Sequence, residues 1–211
     1  MLNNNIKEDL EKVFYWYQKA AESGDKAAES GPKEAMNNLA KCYYDGKGTE
    51  KDLKKAFYWY QKAAESGLKE AIYNLAYCNY NGKGTEKNLE KAFYWYQKAA
   101  ENGLKEAMNN LADCYYDGKG TEKDLKKAFY WYQKAAESGN VEAMNNLAKC
   151  HYDGKGTEKD LKKTFYWYHK AAESGDVEAM NILVYCYYNG EGTEKDFGKS
   201  LFLVSESSGK W

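Results

Sequence analysis

The chain has 211 residues, a formal net charge of −1, 16% aromatic residues and one proline, which is ample apolar surface for a packed core and excludes wholesale disorder. Its 31 basic residues are all lysine, and balanced charge without guanidinium forks argues against a nucleic-acid partner. No apolar run approaches the ~18 residues that span a membrane, and the opening segment Met1–Glu8 has no apolar signal region, so the expected location is cytoplasmic with no membrane partner.

The first predicted element is a helix over about Asp9–Ser23. A seven-residue duplication follows, in which Ala20–Lys26 recurs as Ala27–Lys33. Seven residues make about two helical turns, so either the helix runs on in phase or Gly24 breaks it and the insert loops out. Both readings stand. Pro32 suits the first turn of the next helix, where no donor is needed.

From here the sequence is periodic. Cys42, Cys78, Cys114, Cys150 and Cys186 recur at a step of 36, as do Trp59, Trp95, Trp131 and Trp167. Trp16 stands 43 residues before Trp59, and the excess is the duplication. Leu89–Asp124 and Leu125–Asp160 differ at only six positions. This is a tandem array, and each unit carries two helical patterns. In the first, helix A (Glu106–Tyr116), Ala107, Leu111, Cys114 and Tyr115 share one face, and Asp117-Gly118 ends it. The second, helix B (Leu125–Ser138), is capped by Thr121 or Asp124, stops at Gly139, and gathers Ala128, Trp131, Tyr132, Ala135 and Ala136 on one face.

One such pair cannot bury both faces alone, so neighbours must stack. The predicted fold is all-α: an α/α superhelical solenoid of stacked antiparallel helix pairs, with eleven helices and no sheet. We read 1–211 as a single repeat domain. It divides into an N-terminal B-type helix with the duplication (1–33), helix-pair repeats at 34–67, 68–103, 104–139 and 140–175, and a degenerate C-terminal repeat (176–211). In the last B helix, Phe197–Ser208, the Trp-Tyr pair is lost and serines replace alanines. Either this is a polar cap, as solenoid ends require, or it is drift at a loosely packed end.

The pattern Ala107-x-x-x-Leu111-Ala112-x-x-Tyr115-x-x-Gly118-x-Gly120, followed by Asp124-x-x-Lys127-Ala128-x-x-Trp131-x-x-Lys134-Ala135-Ala136-x-x-Gly139, resembles the Sel1-like repeat. Tetratricopeptide repeats are the near relative, but their period is shorter and they carry a proline where this chain has glycine. The resemblance implies an adaptor that holds other proteins together. Some secreted members carry two cysteines per repeat and have been linked to β-lactam binding; here there is one cysteine per repeat. A β-lactam-related enzyme is therefore only a third reading.

No catalytic, cofactor-binding or metal-binding constellation is expected. Gly118-Lys-Gly-Thr121 lacks the full phosphate-loop pattern and follows a helix, so it reads as a connection. His151 and His169 each replace another residue type at their repeat position. Equivalent cysteines in stacked helices lie roughly 10 Å apart, beyond disulfide reach, and are expected to be buried, reduced fillers. Glu122, Lys123 and Asp124 read as a solvated helix start.

The expected partner is a protein or peptide, held in a concave groove lined by the A helices. Three columns face it: Asn37, Tyr73, Asn109, Asn145 and Asn181; then Lys41, Tyr77, Asp113, Lys149 and Tyr185; then Tyr44, Tyr80, Tyr116, Tyr152 and Tyr188. The middle column is the most varied in a near-copied array, and tyrosine favours interfaces. The alternatives are that this column varies because nothing packs on it, and that the array is purely structural with no dedicated ligand. A further ladder on the B helices, Tyr58, Tyr94, Tyr130 and Tyr166, is expected to pack between neighbouring B helices; exposed, it would serve self-association or a second binding face.

Overall fold

The computed structural model describes residues 2–23 and 31–207. Residues 24–30, where the longer-helix and looped-insert readings of the duplication part, lie outside the described residues, as does Ser208. Among the described residues there are eleven helices and no strand. They fall into two compact units, 1–104 and 105–211.

In the first unit, α1 (Leu2–Glu22), α3 (Leu53–Glu65) and α5 (Leu89–Glu101) are B-type, while α2 (Gly31–Asp45) and α4 (Lys69–Asn81) are A-type. Each helix packs on the next. The second unit repeats the scheme with A-type α6 (Lys105–Asp117), α8 (Val141–Asp153) and α10 (Val177–Asn189), and B-type α7 (Leu125–Glu137), α9 (Leu161–Glu173) and α11 (Phe197–Ser207). The core is built from small residues against leucine and tyrosine. Ala56, Ala63, Ala71, Ala76 and Leu75 are buried with Tyr60 and Tyr96 in one unit; Ala107, Leu111, Ala128, Ala135 and Leu147 with Tyr132 in the other. Alanines let helix axes approach closely while the larger side chains fill the space between them. Trp131, expected on the core face, is only half-buried.

The choice of helix B cap resolves in favour of the aspartate. Asp124 accepts from the Lys127 amide at 3.0 Å, and its own amide donates to the Tyr115 carbonyl at 2.8 Å. One residue thus caps helix B and ties its start to helix A. Asn88 does the same at the start of α5, accepting from Lys91 and donating to the Asn79 carbonyl.

The loop read as a plain connection does more than connect. Gly84 and Gly156, its second glycines, have φ of +74°. A Cβ on either would strike the first carbonyl of the preceding B helix, Leu53 and Leu125 respectively, and crowd Phe57 or Phe129. Each loop is therefore seated on the previous repeat.

The asparagines Asn37, Asn109 and Asn145, expected to face the groove, are buried. They sit between successive A helices: the Asn74 amide donates to Asn37 at 3.0 Å, and the Asn146 amide to Asn109 at 3.1 Å. The next rung fails because Ile182 occupies the place of Asn146 one repeat on, and Asn145 Oδ1 is left buried and unpaired.

His151 is buried where three repeats earlier and one later the chain has Tyr43 and Tyr187, and the Phe129 ring stands edge-on to it at 5.2 Å. Phe14 on Tyr43 and Phe165 on Tyr187 make the same contact at 5.3 Å. The terminal helix α11 exposes Phe197, Phe202, Val204 and, at 72%, Leu201, and Val204 stands at the repeat position where Tyr168 is buried.

Three outcomes follow from this packing. Gly156→Ala should cost about 1–3 kcal/mol more than Gly139→Ala in urea denaturation, since Gly139 shares the positive φ but a Cβ there meets only Lys105 Nζ at 4.0 Å. Asn109→Leu, which strands the Asn146 amide, should cost about 1–3 kcal/mol, whereas Asn145→Leu removes an already unpaired acceptor and should be neutral or stabilising. Burial, aided by Lys163 and opposed by Asp160, lowers the His151 imidazole pKa. The unfolded chain then binds that proton more readily, so stability is full above about pH 6.5 and falls as pH drops from there through the lowered folded value. His151→Tyr should flatten that acid limb when denaturation midpoints are compared at pH 7.5 and 5.

Candidate interaction surface on the A helices

With the asparagines withdrawn into the interior, the open face of the A helices is set by the other two columns. In the 1–104 unit Lys41 is exposed and Tyr77 is 39% exposed. Tyr73 and Tyr80 are half-buried, their rings 5.8 and 6.3 Å from that of the buried Tyr96. The second repeat's three column tyrosines therefore divide: Tyr73 and Tyr80 roof the core and Tyr77 alone stands free of it. Tyr44 is half-buried.

In the 105–211 unit Lys149, Asn181 and Tyr185 are exposed, Tyr185 at 55%. Tyr152 and Tyr188 are exposed as well, Tyr188 against Phe197 with ring centroids 5.4 Å apart. Tyr116 is half-buried against Tyr132 at 6.4 Å. Asp113 is half-buried and accepts from the Tyr132 hydroxyl at 2.6 Å. Burial pushes the Asp113 carboxyl above the usual carboxylate range, and the tyrosine hydrogen bond partly offsets this. The Tyr132 hydroxyl is pushed up by its own burial and by the Asp113 charge. Lys149 donates to Glu178 at 3.3 Å.

Sequence reasoning missed one set of residues. Lys51, Lys87, Lys123 and Lys159, read as part of a solvated charge run, place their ammonium groups 4.9–5.9 Å from the rings of Tyr44, Tyr80, Tyr116 and Tyr152. The signal was available as a fixed Tyr-to-Lys spacing of seven residues across the A–B loop. A lysine over each ring fixes the third column's orientation and edges the surface with positive charge.

The B-helix ladder differs from expectation. Tyr58, Tyr94, Tyr130 and Tyr166 are 48–52% exposed. Each ring stands edge-on to the tryptophan that follows it, as in Tyr58–Trp59 and Tyr130–Trp131, and carries its neighbours' packing on one side only. The inward positions are already filled by Ala and by Tyr60, Tyr96, Tyr132 and Tyr168, so no space is left for a second tyrosine.

The five cysteines are free and buried. Burial raises their thiols, Cys78 and Cys114 to about 12 and Cys150 and Cys186 to about 11. Such thiols carry almost no thiolate near neutral pH and act as small apolar fillers. Among the described residues no group of three or more His, Cys, Asp or Glu is placed to hold a metal ion, and no helix is long and apolar enough to cross a membrane.

Comparison with curated proteins finds no match. Among solved structures, a protective antigen present in uropathogenic Escherichia coli strains is 34% identical and superposes with a TM-score of 0.86 over 92% of this chain. The chain spans 40% of that protein's length. A Sel1 repeat protein from Oxalobacter formigenes is 32% identical with a TM-score of 0.79, over 83% of this chain and 72% of its own. Cysteine rich protein B of Helicobacter pylori is 32% identical, with a TM-score of 0.51 over 63% of this chain and 95% of its own. The Sel1 repeat matches at residues 4–25, 33–68, 69–104, 105–140, 141–176 and 177–207. Six matches that together take in nearly all of the sequence, and an all-α fold shared with solved Sel1 repeat proteins, make this chain a member of the Sel1 repeat family.

Proposed function

We propose that the chain is an interaction scaffold whose A-helix face receives an extended peptide or a helix from a partner protein. The observation that carries this reading is the middle column. Where near-identical repeats diverge, as Lys41, Tyr77, Asp113, Lys149 and Tyr185, four of the five side chains are exposed and Asp113 is half-buried. Variation at surface positions of a common framework lets a repeat protein alter what it holds without altering how it folds. Exposed tyrosine adds rigid contact area with a polar tip. The free, buried cysteines support a reducing, cytoplasmic setting. The exposed B-helix tyrosines offer a separate face, suited to self-association.

Tyr77→Ala and Tyr185→Ala test the groove, because both side chains stand clear of the core. Either should lower recovery of a bound partner about tenfold, with circular dichroism unchanged. Tyr58→Ala and Tyr130→Ala on the B helices should leave recovery as it was. Equal recovery from all four variants rejects the A-helix face and favours an array without a dedicated ligand.

A further inference from the structure

Two cavities in the 105–211 unit occupy the same slot, one repeat apart. The first, of about 240 Å³, is lined by Asp113, Tyr116, Tyr132, Asn146 and Lys149. The second, of about 210 Å³, has Tyr152, Tyr168, Ile182 and Tyr185 in its wall. These four are the 36-residue equivalents of Tyr116, Tyr132, Asn146 and Lys149. The slot is thus framed by two constant tyrosines and given its chemistry by the variable residues. In the 1–104 unit the equivalent positions are Tyr44, Tyr60, Asn74 and Tyr77.

The two slots differ in kind. At the first, the surrounding charges are mostly spoken for: Lys119 pairs with Asp117 at 2.7 Å, Lys149 with Glu178 at 3.3 Å, and Lys155 with Asp153 at 2.8 Å. Lys155 also donates to the Tyr116 hydroxyl at 2.8 Å. Asp113 has its hydrogen bond from Tyr132 but, among the described residues, no ammonium in ion-pair contact; the Glu142 and Asp117 charges add to its negative field and Lys119 reduces it. The unneutralised charge facing this slot is therefore negative. With one Asp113 oxygen engaged by Tyr132, a single acceptor remains, which suits a primary ammonium better than the paired donors of a guanidinium. At the second slot Ile182 and Tyr185 replace Asn146 and Lys149, and the wall is mostly apolar and aromatic, with Thr164 and the Glu191 carboxylate completing it.

We propose that the Asp113 slot takes the ammonium of a lysine side chain and the Ile182 slot an apolar side chain of the same extended peptide. This rests on the A-helix face being the binding face. Stacked repeats step by roughly 10 Å, and a chain in the extended polyproline II conformation rises about 3.1 Å per residue with three residues per turn, so two side chains three residues apart in the partner lie on one face at about that spacing.

The test is titration of the ¹⁵N-labelled full chain, followed by amide chemical shifts, with n-butylammonium, with n-butanol, and with the peptide acetyl-Gly-Ser-Lys-Ser-Ser-Leu-Ser-Gly-amide. Butylammonium and the peptide should give saturable shifts around Asp113, Tyr116 and Tyr132, and butanol none. Asp113→Asn, which keeps an oxygen for Tyr132, should weaken both about 10- to 100-fold. Norleucine in place of the peptide lysine should do the same. Ile182→Asn should weaken the peptide and leave butylammonium unaffected. Butylammonium binding no better than butanol, or binding indifferent to Asp113→Asn, overturns the cation slot. Butylammonium binding without peptide binding overturns the paired anchors. A peptide that binds the same face regardless of its lysine removes the cation slot while leaving the groove standing.

Discussion

The close approach of a loop glycine to the first carbonyl of the preceding B helix is the contact on which the repeat geometry rests. Gly84 against Leu53 and Gly156 against Leu125 leave no room for a side-chain carbon. The surrounding core obeys the same demand, with alanines at the points where helices come nearest. Small residues supply little apolar area themselves. What they do is set a distance at which leucine and tyrosine fill the remaining space without voids. The aspartate that caps helix B also hydrogen-bonds to helix A, so the internal geometry of a pair is fixed by backbone groups. Surface side chains are then free to change.

Much of this was legible in the sequence. A step of 36 residues, glycine stops and capping aspartates determine the number and type of the helices, because they act through local backbone chemistry. The alanine, leucine and cysteine positions were legible too, since helical periodicity marks a buried face. The seating of Gly156 was not, as it depends on a contact between residues 31 positions apart. Asn109 was misplaced for a different reason. It lies on the same broad helix face as Asp113 and Tyr116, and only the neighbouring helix shows that the boundary between open surface and interior falls between them. Polarity misled here: a short amide can be buried when the next repeat returns a matching amide.

The tyrosines show the same limit from the other side. Two consecutive B-helix tyrosines flank each tryptophan, and alternate helical positions cannot both be internal. Tyr132 goes inward and Tyr130 outward. Composition gives the pair equal claims; the alanines beside Tyr132 decide. On the A helices, Tyr73 and Tyr80 are drawn onto Tyr96 while Tyr77 stays clear. A count of aromatic residues therefore overstates the surface available to a partner.

Each inter-repeat slot draws its walls from two successive copies: Asp113 and Tyr116 come from one, Asn146 and Lys149 from the next. Because the copies share most of their remaining sequence, unequal crossing-over between them would delete or add a whole unit while leaving the buried leucine and cysteine positions filled alike. Every such event creates a new junction and brings a different pair of variable residues face to face. The side chains that line the slots can thus be reshuffled by recombination alone, with no point mutation required.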